Sequence, residues 1–395
     1  MKQKWTCGEK LLWATPLIFL IGAAVAAWGP QVARRQLRTP GKRNPTPAFA
    51  LAPQVVRKQL GKPVVLQTSR GDSLLRTIAL SADGSLLSAT GTAHSPGQKG
   101  GLIYFWDART LKPLPAWNSG SSVSRVDAAN AAFALSSDGR SVAYSPWTSA
   151  SRNTRLLFFD RPTQTIKWQL KGEFSQSQAR FSPDDRVVAV TRAQAGGTNY
   201  LLLDTTQGNT LREWTDTSTP CYQSALAWAP NGKTVACAGV NRIEIRQVSD
   251  GAKLHSWDSS PISLMSFSHD SKSLVAVSNI DQDIPGKAHY EVSVLDVSTG
   301  RRRWSYEDAQ DAGFGRVSYY IHDARFSPDG KSVAVATSSS RIDLLDAQSG
   351  LIQLSLQAPS RFSSSFDADT ALAFSPNGKR LFARGQNAVL VWDLD

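Results

Sequence analysis

Cysteine and histidine are scarce in this chain of 395 residues, with three of the first and five of the second. Three cysteines cannot build a disulfide framework. Cys7 stands alone near the N-terminus, and a hairpin through Asn231-Gly232 sets Cys237 opposite Ala225 and Leu226 rather than Cys221. Cys237 therefore reads as a small buried apolar residue. The histidines (His94, His255, His269, His289 and His322) are scattered, and no HExxH pair, CxxC, GxSxG elbow or glycine-rich phosphate loop occurs. Asn279, Asp281 and Asp283 resemble the start of a calcium loop, but Ile284 stands where that loop needs glycine and no glutamate closes it. The expectation is no enzyme, no cofactor and no metal.

Charge is absent between Lys10 and Arg34, and residues 11–28 are almost wholly apolar. A helix crosses a hydrocarbon core of roughly 30 Å with about 20 such residues. Trp13 and Trp28 sit near the two ends, where interfacial aromatics belong. The run is longer than the ~7–15-residue core of a secretory signal, which predicts a retained transmembrane helix over 11–28 after a short basic N-terminus, 1–10. A signal cleaved after Ala24-Val25-Ala26 is the competing reading. Residues 29–62 hold five prolines and no periodicity, as a disordered linker does.

The whole chain carries 44 Lys+Arg against 32 Asp+Glu, yet residues 1–62 hold eleven of the basic residues and one acid, Glu9. The excess is a juxtamembrane cluster, drawn to anionic headgroups at about 1 kcal/mol per charge. The remaining 33 against 31 leaves no electrostatic footprint for nucleic acid. Arg34, Arg35, Arg38, Lys42 and Arg43 outnumber Lys2, Lys4 and Lys10, so the positive-inside rule predicts a single-pass protein with its C-terminal part in the cytoplasm. Export is the alternative.

What the chain does have is a repeated turn. It reads SADG at Ser81, SSDG at Ser136, SPDD at Ser182, APNG at Ala229, SHDS at Ser268, SPDG at Ser327 and SPNG at Ser375, spaced by 55, 46, 47, 39, 59 and 48 residues. In the sixth copy an apolar run ends in SPDG, a short run returns through Val333, a third reaches Asp346, and a turn, AQSG, leads to a fourth. Pro presets φ, Asp bonds its own backbone and Gly takes positive φ, so each turn joins antiparallel strands. A period near 40–50 residues with four short strands per copy predicts a radial array, an all-β propeller of seven blades over 63–395.

Third strands end in Phe-Trp106-Asp107, Phe-Phe-Asp160, Leu-Leu-Asp204, Val-Leu-Asp296, Leu-Leu-Asp346 and Val-Trp392-Asp393, and only Ile245-Arg246-Gln247 departs. This resembles the WD-repeat family in a divergent, bacterial-type form, because the family's Gly-His dipeptide is missing. The resemblance implies a monomeric propeller serving as a protein-interaction scaffold. Trp117, Trp168, Trp214, Trp257 and Trp304 fall at or near the ends of outer strands. The stretch 296–304 resembles the tryptophan-docking segment of quinoprotein-like propellers, which implies ring-to-blade packing. An exported propeller of that kind, in envelope assembly or carrying a cofactor, is the alternative function. Arg301, Arg302 and Arg303 read as a solvated edge that discourages sheet-to-sheet pairing.

The last copy has three strands, and a surplus strand over 63–68 precedes the first. Pairing the two closes the ring and leaves no open edge. Long connections, such as 91–100, 146–153, 279–287, 307–320 and 357–369, share one side. Trp147, Tyr222, Phe314, Tyr319 and Arg361 on that side are the expected partner-binding residues, since aromatic and Arg side chains anchor interfaces. The other side is expected to offer little beyond short turns.

Overall fold

The computed structural model describes residues 61–68, 74–92, 101–118, 132–145, 154–174, 177–194, 197–217, 225–239, 242–279, 290–307, 321–337, 340–359 and 371–395. All belong to one compact unit, Val55–Asp395. The basic N-terminus, the expected membrane helix and nearly all of the linker lie outside the described residues. Among the described residues no helix is long and apolar enough to cross a membrane.

The strands form seven antiparallel four-stranded sheets. Blade 1 spans residues 74–118, blade 2 133–172, blade 3 179–216, blade 4 225–258, blade 5 262–307 and blade 6 321–357. Blade 7 combines residues 372–393 with the N-terminal strand Val64–Gln67. Seven buried apolar clusters sit at the seven junctions between neighbouring blades, so the core is a set of radial seams. A sheet covered on both faces needs continuous apolar runs rather than alternation, and Ser332–Thr337 is buried from its second residue to its last.

Ring closure follows the expected pairing. Val64 lies opposite Val391 and Leu66 opposite Val389, with Leu66 only 7 % exposed. The seam to blade 1 is joined at the Leu75 backbone: Leu75 N donates to Gln386 O at 2.8 Å, and the Arg384 side chain donates through Nη1 to Leu75 O at 3.0 Å.

Each repeated turn is a small hydrogen-bonded unit. Ser81 Oγ donates to Asp83 Oδ1 at 2.6 Å and accepts from Leu86 N at 2.9 Å, while Asp83 accepts from Ser85 N at 3.0 Å. The hydroxyl-to-Asp or -Asn bond recurs from Ser136, Ser182, Ser268, Ser327 and Ser375. Two copies put a non-glycine residue in the left-handed position, Asp185 at φ 59° and Ser271 at φ 61°. That conformation costs about 1 kcal/mol. Both side chains reach the preceding blade's turn: Asp185 accepts from Ser137 N at 2.7 Å, and Ser271 Oγ accepts from Asn231 N at 3.1 Å.

The third-strand aspartates cap the next turn. Asp107 Oδ1 accepts from Arg109 N at 3.0 Å and Thr110 N at 2.7 Å, and Asp160, Asp204, Asp296 and Asp346 do the same in their blades. Where Gln247 replaces the aspartate, Asp250 inside the turn accepts from Ala252 N instead. Asp393 lies past the last pair with the N-terminal strand, Val64–Val391, and pairs with Arg380 at 2.8 Å. The outer-strand tryptophans reach across the seams. Trp117 stacks on Phe159 of blade 2 at 4.0 Å, Trp168 Nε1 donates to Thr205 O at 3.0 Å, and Trp304 Nε1 donates to Ala347 O at 2.9 Å. Gly350, at φ +73°, lets Trp304 in: a Cβ there would come within 2.8 Å of the ring.

Candidate interaction site at the channel mouth

The residue just before each repeated turn is large and apolar in every copy: Leu80, Leu135, Phe181, Trp228, Phe267, Phe326 and Phe374. Each ends an inner strand, and the radial array brings all seven to one level around the axis. They line a cavity of about 660 Å³ to which all seven blades contribute, rimmed by the turn prolines Pro183, Pro230, Pro328 and Pro376. Six of the seven are half-buried and Phe267 is 6 % exposed, and each also packs into the apolar cluster of a seam. Such a volume is within the range of ligand clefts.

Charge at the mouth is positioned from behind. Arg325 lines the cavity and its Nε lies 2.9 Å from Asp323, a carboxylate with no exposure at all. Arg180 also lines it and donates to Ala179 O at 2.7 Å, with Asp185 at the rim. The arrangement suits side chains that bury apolar area and offer acceptors to guanidinium groups.

Among the residues expected from sequence, Trp147, Tyr222, Phe314, Tyr319 and Arg361 lie outside the described residues, as do His94, His289, Cys221 and all of the calcium-like stretch 279–286 except Asn279. The turn side carries more than short residues. Its rim is made of short turns as expected, but the ring beneath is apolar, with five of its seven residues aromatic. His255 is on an outer strand as expected, whereas His269, also in its expected turn, borders the mouth. His322 is buried at the start of blade 6, and burial, with Arg384 nearby, lowers its pKa to about 4. Cys237 is a buried free thiol opposite Leu226, pushed up by desolvation. Of the edge arginines, Arg302 pairs with Glu291 and Arg303 with Asp296. Trp106 and Trp392 are core, 2 % and 3 % exposed. Among the described residues no group of three or more His, Cys, Asp or Glu could hold a metal. The apolar ring was legible as a fixed large residue one step before every turn.

A closed ring of seven four-stranded blades with these repeated turns is a WD40-like β-propeller fold. Among solved structures the chain is similar to the β-propeller domain of Cps50 (Swd1) from Myceliophteria thermophila, at 13 % identity and a TM-score of 0.61, over 85 % of this chain and all of that one. At that identity the likeness concerns the fold alone. No family model matches the chain, and no curated protein matches it.

Proposed function

We propose that this protein is a membrane-tethered interaction platform that captures a protein partner at the channel mouth on the turn side. The observation that carries the reading is the single cavity of about 660 Å³ to which every blade contributes an apolar or aromatic side chain. Aromatic and Arg side chains are the usual anchors of protein interfaces, and the closed ring sets them around one axis. The apolar run over 11–28 and the basic cluster after it would hold the propeller at the bilayer, on the cytoplasmic side.

Affinity capture from solubilised membranes tests this. Replacing Pro183, Pro328 and Pro376 with lysine keeps the turn geometry, since most residues fit that position, and places three charges around the mouth. Capture of the wild-type partner is expected to be lost, with thermal stability little changed. Alanine at Trp147, Phe314 and Arg361 is expected to spare capture. The opposite pattern would move the site to the side with the long connections, and capture unaffected by either set would refute a platform on the axis. Phosphatase activity from a fusion at Asp395 would overturn the cytoplasmic placement.

A further inference from the structure

The seam between blades 4 and 5 encloses a cavity of about 280 Å³ bordered by Trp257, Glu291, Ser293, Leu295 and Arg302. In the preceding seam, between blades 3 and 4, an arginine occupies the equivalent position. There Arg246 lays its guanidinium 5.3 Å from the centre of the Trp214 ring. The same group gives Nε and Nη2 to Glu244 Oε2, at 3.0 and 2.7 Å. An internal cation is thus sandwiched between an aromatic face and a carboxylate, the arrangement that binds cations most strongly out of water.

The next seam has a tryptophan and a carboxylate on its walls but no arginine between them. Trp257 holds the place of Trp214: each pairs with the residue four before the end of its blade's third strand, Ile243 and Tyr200 respectively. Gly300 leaves room for that ring, since a Cβ there would come within 2.0 Å of it, whereas Gly251 at the preceding seam has nothing within 4 Å, so the two indoles share a strand position and are seated differently. The place of Arg246, one before the strand's end, is taken by Leu295, and that of Glu244 by Ser293. The acid is supplied two residues away by Glu291, which is 8 % exposed. Its side-chain bonds, from Ser293 Oγ and from Arg302 Nη1, both end on Oε1, and Oε2 accepts none among the described residues. Asp258, an exposed residue, also borders the cavity, whose lining thus carries two carboxylates and one guanidinium.

We propose that this cavity is a guanidinium site: an arginine side chain from outside the chain lies against Trp257 and donates to Glu291 Oε2, in the place that Arg246 fills from within at the neighbouring seam. The site is separate from the channel mouth and stands or falls independently of it.

Isothermal titration of the full-length chain with N-acetyl-arginine amide tests the proposal, with N-acetyl-citrulline amide as the neutral near-isostere. The arginine derivative is expected to bind with a dissociation constant on the order of 1 mM or tighter, and citrulline at least about tenfold more weakly. Glu291→Gln should weaken arginine binding by about tenfold, the loss of a charge-assisted bond. Leu295→Arg rebuilds the internal cation and should abolish binding while leaving the denaturation midpoint equal or higher. Absence of binding to the wild-type chain overturns the site. Equal binding of citrulline, or undiminished binding by a folded Leu295→Arg chain, overturns it as well. If Glu291→Gln fails to fold, the Leu295→Arg result decides alone.

Discussion

Replacing Asp323 with asparagine changes one atom and should loosen the join between blades 6 and 7. Asp323 has no exposed surface. Its Oδ2 accepts from Ala371 N and Leu372 N of blade 7, at 2.9 and 3.0 Å. Its Oδ1 accepts from Ala324 N at 2.9 Å and lies 2.9 Å from Arg325 Nε. Three of these neighbours are backbone donors and the fourth is a guanidinium cation, so an amide NH₂ confronts two N–H groups turned one way and one N–H group and the cation turned the other. Each buried donor left without an acceptor costs about 1–3 kcal/mol, so the substitution should cost about 4 kcal/mol, similar to breaking a buried ion pair. At about 2 °C per kcal/mol for a domain of this size, the melting temperature should fall by about 8 °C. Asp343→Asn is the comparator. Asp343 is equally buried, but two of its three partners are the hydroxyls of Tyr306 and Ser355, at 2.7 and 2.6 Å. A hydroxyl can rotate to accept from the new amide, so this change should cost about half as much. Urea unfolding of both variants checks the argument. A loss below about 1 kcal/mol for Asp323→Asn, or one no larger than for Asp343→Asn, would refute it.

Two further outcomes follow from the same geometry. A chain beginning at residue 69 lacks Val64–Gln67 and leaves Ala388–Asp393 with an open edge. It should aggregate where a chain beginning at residue 61 stays soluble, and equal behaviour on size-exclusion chromatography would refute closure by this strand. Acid should destabilise the propeller through its turn aspartates. Asp83, Asp107, Asp184, Asp204, Asp270, Asp296, Asp329 and Asp346 are all held below the usual carboxylate range, chiefly by Ser or Thr hydroxyls and turn N–H groups. Asp160 is held down to about 2 by the Thr163 hydroxyl and then Lys167. A carboxylate depressed in the folded state contributes stability above its unfolded pKa of about 3.9 and loses it as pH falls toward the folded value. Denaturation midpoints should therefore hold from neutrality to about pH 5 and drop between about pH 4 and 2. Asp160→Asn should flatten part of that slope, and an unchanged slope would remove Asp160 from the account.

The blade count, the strand order and the closing pair were legible in the primary structure, because each rests on local chemistry. Ser-x-Asp-Gly turns hold themselves together within six residues, and an aspartate at the end of a third strand caps the turn beside it. Those bonds form wherever the chain folds back. The tryptophans were also readable as seam residues, since an indole on an outer strand has only the next blade to cover it. The five expected partner-binding residues were chosen for connection length and for their aromatic or Arg side chains, and they fall outside the described residues.

The amino-acid order by itself determined that this chain makes seven similar sheets and ends by pairing its last strand with its first. Only the tertiary structure decided what those sheets enclose. Seven apolar residues about fifty positions apart become one ring at the axis, a consequence of the radial array and not of any one repeat. Asp185 and Ser271 look like lapses from glycine until the preceding turn is seen within hydrogen-bond reach. The cavity beside Trp257 depends on a difference between two seams, Arg246 in one and Leu295 in the next. Such a difference has meaning only when the blades stand side by side, because burial, charge balance and empty volume belong to surfaces brought together from distant parts of the chain.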